Sequence, residues 1–249
     1  MGTARYMPDM ALLILGAVLG GLVNGLSGFG FAIMALGVWL LFLPPTLAGP
    51  LVVISIIGSN LQALPRVWPH INLRHTAPFV AGGLLGVPLG VALLGLVPVP
   101  LFKGFVAAVI FAFLATMLLF GQRIRLPAKA ERFNPAIGLI GGIMSGLAGL
   151  AGVAPTIWAT LLHWDKPTKR GIFQSYNLSM ALLSLLTLFW SGYLTPEFWR
   201  LALIAIPVAA VAAWVGVQFF LRLGEAHFQG VVMAILGASG VSILVSLLR

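Results

Sequence analysis

The sequence predicts an all-α polytopic membrane protein, made of two inverted repeats of about five segments, each opening with a short or re-entrant glycine-broken helix pair. Three observations predict it. Of 249 residues 60% are hydrophobic and 8% charged, against about 25% charged in an ordinary soluble domain, and the mean hydropathy is +1.09. Ten apolar stretches follow one another along the chain. A glycine-rich polar motif in the first stretch returns, at the corresponding place, halfway along.

The stretches run over 10–24, 28–43, 46–64, 76–97 and 101–120, then 135–149, 150–162, 171–192, 199–221 and 228–248. Those near 20 residues match a hydrocarbon core of about 30 Å at 1.5 Å per residue. The two pairs that open each half are shorter, so each member is a short tilted helix or one arm of a re-entrant hairpin. Residues 1–25 imitate a signal peptide, with Arg5 before an apolar run. They lack an A-x-A cleavage site and have a partner later in the chain, so they are read as part of the fold.

The repeat shows in "GLVNGLSG" over "GIMSGLAG": Gly21, Gly25, Leu26 and Gly28 return as Gly142, Gly146, Leu147 and Gly149. Pro45, Thr46 and Gly49 then match Pro167, Thr168 and Gly171, and Gly90, Phe102 and Gly104 match Gly216, Phe228 and Gly230. Co-linear matches at a slowly drifting offset imply duplication, with repeats over 1–126 and 127–249. Five segments are an odd number, so the second repeat enters the membrane from the opposite side. On that topology ten Lys and Arg fall on one side and four on the other, against nine and five if each opening pair fuses into one broken span, which favours both termini outside by the positive-inside rule.

A polar, glycine-rich break at membrane depth is tolerable only where its backbone lines a cavity or meets a ligand. Inverted repeats with broken helices are a common way to build a transport site at the midplane. Half-helices beginning after Gly28 and Gly149 would aim free N–H groups and positive dipole ends at such a site, which favours anions. Asn24, Ser27, Ser145 and Thr156 can add side-chain hydrogen bonds. The third segment of each half carries Ser55, Ser59, Asn60 and Gln62, or Gln174, Ser175, Tyr176, Asn177 and Ser179. Gln174 and Asn177 share a helix face, and both are candidates for substrate contact or for bonding between helices. Arg170, one turn earlier, is a cytoplasmic anchor or a basic lip that gathers anions. Gly82, Gly86 and Gly90, at small-xxx-small spacing, read as helix packing.

Several function classes drop out. Cysteine is absent, which excludes disulfides and thiolate chemistry. The net charge of +9 forms no aromatic-interleaved patch for nucleic acid. Asp9, Glu131, Asp165, Glu197 and Glu225 all lie at termini or in loops, so no carboxylate inside a span can relay protons or hold a cation. His70, His75, His163 and His227 fall at segment ends; no metal and no cofactor is expected. Trp39, Trp68, Trp158, Trp164 and Trp199 read mostly as an interfacial aromatic belt. Gly25-Leu26-Ser27-Gly28 also spells a serine-protease motif, but no histidine in a later span can serve Ser27 as base. A passive anion channel is the nearer alternative to a carrier.

The motifs "GLVNGLSGFGFAIM" and "GLIGGIMSGLAGLAGVAPTIW", the "DKPTKRGIFQSYNL" stretch and the two-half layout resemble the sulfite exporter TauE/SafE family of membrane permeases over nearly the whole chain. The resemblance implies a non-enzymatic exporter of small sulfur-containing anions, sulfite or organosulfonates, in the bacterial inner membrane. It implies a substrate site at Asn24, Gly25, Ser27, Gly28, Ser145, Gly146, Gly149, Gln174 and Asn177. The residue reading adds Thr156 and, further out, Asn60, Gln62 and Arg170. The expected partners are the small anion and the lipid bilayer, with the oligomeric state open and a homodimer among the options.

Overall fold

In a computed structural model the described residues are 9–28, 30–61, 73–116, 118, 126–162, 164, 166–220, 237, 240, 241 and 243. Among them there is no strand and there are nine α-helices: α1 (Met10–Ser27), α2 (Phe31–Trp39), α3 (Pro45–Leu61), α4 (Leu73–Leu94), α5 (Val99–Ala115), α6 (Asn134–Ala148), α7 (Val153–Leu161), α8 (Lys166–Trp190) and α9 (Pro196–Phe220). A 3₁₀ turn, Ala128–Phe133, leads into α6. His75–Leu94, Gly171–Trp190 and Pro196–Gln218 are long and apolar enough to cross a membrane. Their outward faces carry exposed Leu85, Leu89, Leu186, Phe189, Leu203 and Val211. Apolar side chains left bare on a helix of that length suit a lipid solvent.

Each opening pair is a helical hairpin. Asp9 caps α1 through its carboxylate, which accepts from Ala11 N–H at 3.1 Å, and Gly28 ends it in the left-handed region at φ 78°. Gly28 N–H closes the last turn on Asn24 O at 2.7 Å. After this reversal α2 runs back along α1, with Phe31 against Gly20 and the Trp39 ring against Gly16. Trp39 Nε1 donates to Leu13 O at 3.1 Å and pins the end of α2 to the start of α1. The second pair repeats the design: Gly149 ends α6 at φ 70°, Ala151 and Pro155 pass against Gly141, and Trp158 Nε1 donates to Asn134 Oδ1 at 2.8 Å. Asn134 is the repeat counterpart of Leu13, offset by the same 121 positions as Gly28 and Gly149.

These indoles correct one expectation. Trp39 is fully buried and Trp158 is half-buried on Asn134, so both close hairpins rather than face an interface. An indole N–H at membrane depth needs an acceptor, and the start of the partner helix supplies it. Trp199 is exposed as a belt residue would be.

The halves are knitted together by exchange. α4 lies along α6, and α1 lies along α9. Gly21 and Gly25 of α1 abut the Ala209 and Ala213 carbonyls of α9, while their counterparts Gly142 and Gly146 abut the Gly83 and Val87 carbonyls of α4. Gly90 meets Ile143 of α6, and its counterpart Gly216 meets Leu22 of α1. Without a Cβ the two backbones approach to contact, which is how helices associate in lipid. Gly82 and Gly86 extend the α4 seam against Pro135 and Leu139, so the expected packing role of this glycine row holds. Gly86→Leu would drive a branched side chain into the α6 backbone, at a cost of about 3 kcal/mol or more. The expected outcome is loss of a monodisperse detergent-extracted protein, seen by size-exclusion chromatography. Between the seams α3 and α8 pack on each other, and their inner faces look toward the hairpin tips.

Candidate binding site at the two helix breaks

Both hairpin tips line one pocket. Its walls are Asn24 of α1, Gly30 to Ile33 at the start of α2, Ile56 and Asn60 of α3, Gly149 to Val153 without Ala151, and Asn177 of α8. α2 and α7 start at Phe31 and Val153, two or three residues later than the glycines suggested. Gly30 and Gly152 occupy the N-cap positions, and no side chain caps either helix. The positive ends of two helices therefore face one cavity, an arrangement that attracts negative charge.

The side chains around it are amides rather than ions. Asn24 is 5% exposed and its Nδ2 donates to Ser59 Oγ at 3.0 Å and Asn60 Oδ1 at 2.9 Å. Ser59 Oγ in turn donates to Ile56 O at 3.1 Å. This cluster fixes the Asn24 amide at the first break. From α8, Gln174 Oε1 would lie 3.9 Å from a Cβ placed on Gly28, and the Asn177 amide stands beside Gly152. Gln174 Oε1, Asn177 Oδ1 and Ser55 Oγ are buried without a hydrogen-bond partner among the described residues. Leaving such a group unpaired costs about 1–3 kcal/mol, and native structures keep such groups where water or a ligand completes them.

The sequence-derived residues separate into three groups. Asn24, Asn60, Gly149 and Asn177 line the pocket, and Gly28 and Gln174 stand together at the first tip. Gly25 and Gly146 face α9 and α4 as packing contacts. Ser145 Oγ is shared with Ser184 Oγ at 2.9 Å, and Thr156 Oγ1 donates to Gly152 O at 2.6 Å, so these two hydroxyls are engaged inside the protein. Gln62 lies outside the described residues, and of Ser27 and Arg170 only the helical backbone is described. The apolar wall of Phe31, Ile33, Ile56, Leu150 and Val153 was not singled out in the sequence. Its one available signal is Gly152, the third glycine of "GLAGLAG".

Helices with lipid-suited faces and two broken hairpins whose tips share one pocket fit a multi-pass membrane protein of the transporter class. The chain belongs to the TauE/SafE family: the family description "Sulfite exporter TauE/SafE" matches residues 13–243. It is also similar to the "Probable sulfite/organosulfonate exporter TauE" of Cupriavidus necator, at 24% identity over 229 residues, covering 88% of this chain and 87% of that one. No solved structure matches the chain.

Proposed function

We propose that the protein exports small sulfur-containing anions, sulfite or organosulfonates, across the inner membrane, and that the pocket between the two helix breaks is its substrate site. The observation that carries this is the convergence of two uncapped helix N-termini on one cavity lined by residues of both halves. Family membership and the name of the Cupriavidus relative supply the sulfur chemistry. Among the described residues no Lys, Arg or His lines the pocket, so in this reading binding relies on backbone dipoles and amides.

The two halves act as inverted repeats in this reading, with both termini outside. Its support is the exchange of equivalent contacts, α1 on α9 and α6 on α4, each sealed at repeat-related glycines. A pseudo-two-fold relation lets one hairpin loosen as the other tightens around a fixed site. With the cell interior negative, export of a monovalent anion is favoured by about 2.3 kcal/mol per 100 mV, so no intramembrane carboxylate is required to drive it.

The test is flux in proteoliposomes of purified protein under a potential of either sign. Saturable movement of sulfite or a sulfonate that reverses with the potential is expected. Folded protein that moves neither under either sign overturns the assignment. A tag on each terminus, probed from outside intact cells, should be reached at both ends; a protected terminus overturns the topology.

A further inference from the structure

Among the residues that line the pocket are Asn24, Asn60 and Asn177, and the first two are committed to each other. Asn24 Nδ2 donates to Asn60 Oδ1 at 2.9 Å and to Ser59 Oγ at 3.0 Å, which ties the first break to α3. Asn177 is different. It is 8% exposed, and its Oδ1 is buried with no hydrogen-bond partner among the described residues. A Cβ on Gly152 would stand 2.8 Å from both Asn177 Oδ1 and Asn177 Nδ2. The amide edge, with one acceptor and one donor, therefore faces the N-cap of α7 where that residue lines the cavity. A bare acceptor of this kind offers a fully ionised oxyanion nothing and suits a ligand that brings a hydrogen.

The charge available in the cavity points the same way. None of the described lining residues is ionisable. Each helix N-terminus carries roughly half a positive charge, so α2 and α7 together supply about one at most. The carbonyl ends of α1 and α6 reach the same tips and can only lower that total. They are partly closed by Gly28 N–H on Asn24 O at 2.7 Å, Gly149 N–H on Ser145 O at 2.7 Å and Leu150 N–H on Met144 O at 3.1 Å. One negative charge is thus matched and a second is not. Phe31, Ile33, Ile56, Leu150 and Val153 make up the rest of the wall, and an uncompensated charge in such surroundings weakens binding by roughly a hundredfold or more.

We propose that the site selects singly charged sulfur oxyanions and takes sulfite as hydrogensulfite, whose O–H donates to Asn177 Oδ1 while one of its oxygens accepts from Asn177 Nδ2. This rests on the reading of the pocket as the transport site. The sulfite dianion, with two charges and no hydrogen, fails both requirements. A simple alkanesulfonate meets the first and not the second, and a carboxylated sulfonate fails the first. The proton leaves as part of the substrate, so no intramembrane carboxylate is needed to carry it.

The experiment is labelled-sulfite flux in proteoliposomes at one subsaturating total concentration, with the pH stepped across the conversion of hydrogensulfite to sulfite near neutrality. Methanesulfonate, singly charged throughout, is run beside it. Sulfite flux should be level below that conversion and fall by about tenfold per pH unit above it, while methanesulfonate flux stays level. The described ionisable side chains on the helices around the pocket stand at the N-terminal ends, as Asp9, His75, Lys103, Glu197 and Arg200 do, or are engaged elsewhere, as Tyr176 Oη is on Gly138 O at 2.7 Å. Sulfite flux that holds or rises with pH, or methanesulfonate flux that falls in parallel, overturns the selection of one charge. At neutral pH the doubly charged sulfoacetate should inhibit roughly a hundredfold less than ethanesulfonate, and equal inhibition overturns it too. Asn177→Leu, nearly the same shape, should weaken hydrogensulfite by roughly five- to tenfold relative to methanesulfonate; equal weakening of both removes Asn177 as the acceptor. The pH profile needs no variant, so it decides even where Asn177→Leu does not fold. Absence of flux for every one of these anions, in folded protein, overturns the transport reading instead.

Discussion

Gly28→Leu is expected to yield a folded, membrane-inserted protein with no measurable flux, whereas Gly149→Leu is expected not to fold. Both glycines end their helices in the left-handed region, at φ 78° and 70°, where any L side chain costs about 1–2 kcal/mol. Their surroundings differ. Among the described residues a Cβ on Gly28 meets nothing nearer than Gln174 Oε1 at 3.9 Å, while one on Gly149 would stand 2.5 Å from Val52 Cγ1. Val52 is fully buried on α3 and has nowhere to retreat, so leucine there adds overpacking of about 1–3 kcal/mol to the backbone strain. At Gly28 the leucine can be housed, but only by filling the space in front of Gln174. Thermal unfolding of the purified variants separates the two costs, and proteoliposome flux reads the site. Normal flux through Gly28→Leu would remove the first break from the substrate path.

The contrast between glycines that face a partner helix and those at the site also marks what the sequence could say. The twin breaks were legible because three glycines with polar neighbours inside an apolar run recur at one offset. Which glycines serve the site was not, since a missing Cβ reads the same whether a backbone or a ligand approaches. A helical projection separates them: Gly21 and Gly25 lie one turn apart on the α9 side, while Asn24 and Gly28 lie one turn apart on the neighbouring face. The same holds for Gly142 and Gly146 against Ser145 and Gly149. Thr156 shows a second limit. A hydroxyl inside an apolar helix can satisfy itself on the carbonyl four residues back, as Thr156, Thr160, Ser175, Ser179 and Thr187 all do. An amide cannot do this so readily, and the amides are what reach the pocket. Gln174 meeting Gly28 joins residues of different halves, a pairing that only the tertiary exchange of helices creates.

Asn24→Asp probes the charge of the site with almost no change of shape. The Asn24 Nδ2 serves two acceptors at once, Ser59 Oγ and Asn60 Oδ1, and a carboxylate has no hydrogen to give either. Ser59 cannot easily turn its own proton around, because it is spent on Ile56 O. The new carboxylate would thus lose two bonds and set a negative charge beside the bound anion. At 4–5 Å with an effective dielectric near 20, that repulsion is about 3–4 kcal/mol, on the order of a hundred- to thousandfold in affinity. Flux should therefore be lost at neutral pH and recover in acid, where the group is neutral. Asn24→Leu makes the complementary prediction: it adds no charge but strands Asn60 Oδ1, at a stability cost of about 1–3 kcal/mol, with no recovery in acid. The pH profile of flux distinguishes the two variants, because only the aspartate loses its charge and regains a hydrogen to donate to Asn60 Oδ1 as the pH falls. Wild-type flux through Asn24→Asp at neutral pH would move the anion path away from the first break, and with it the role given to the two facing helix ends.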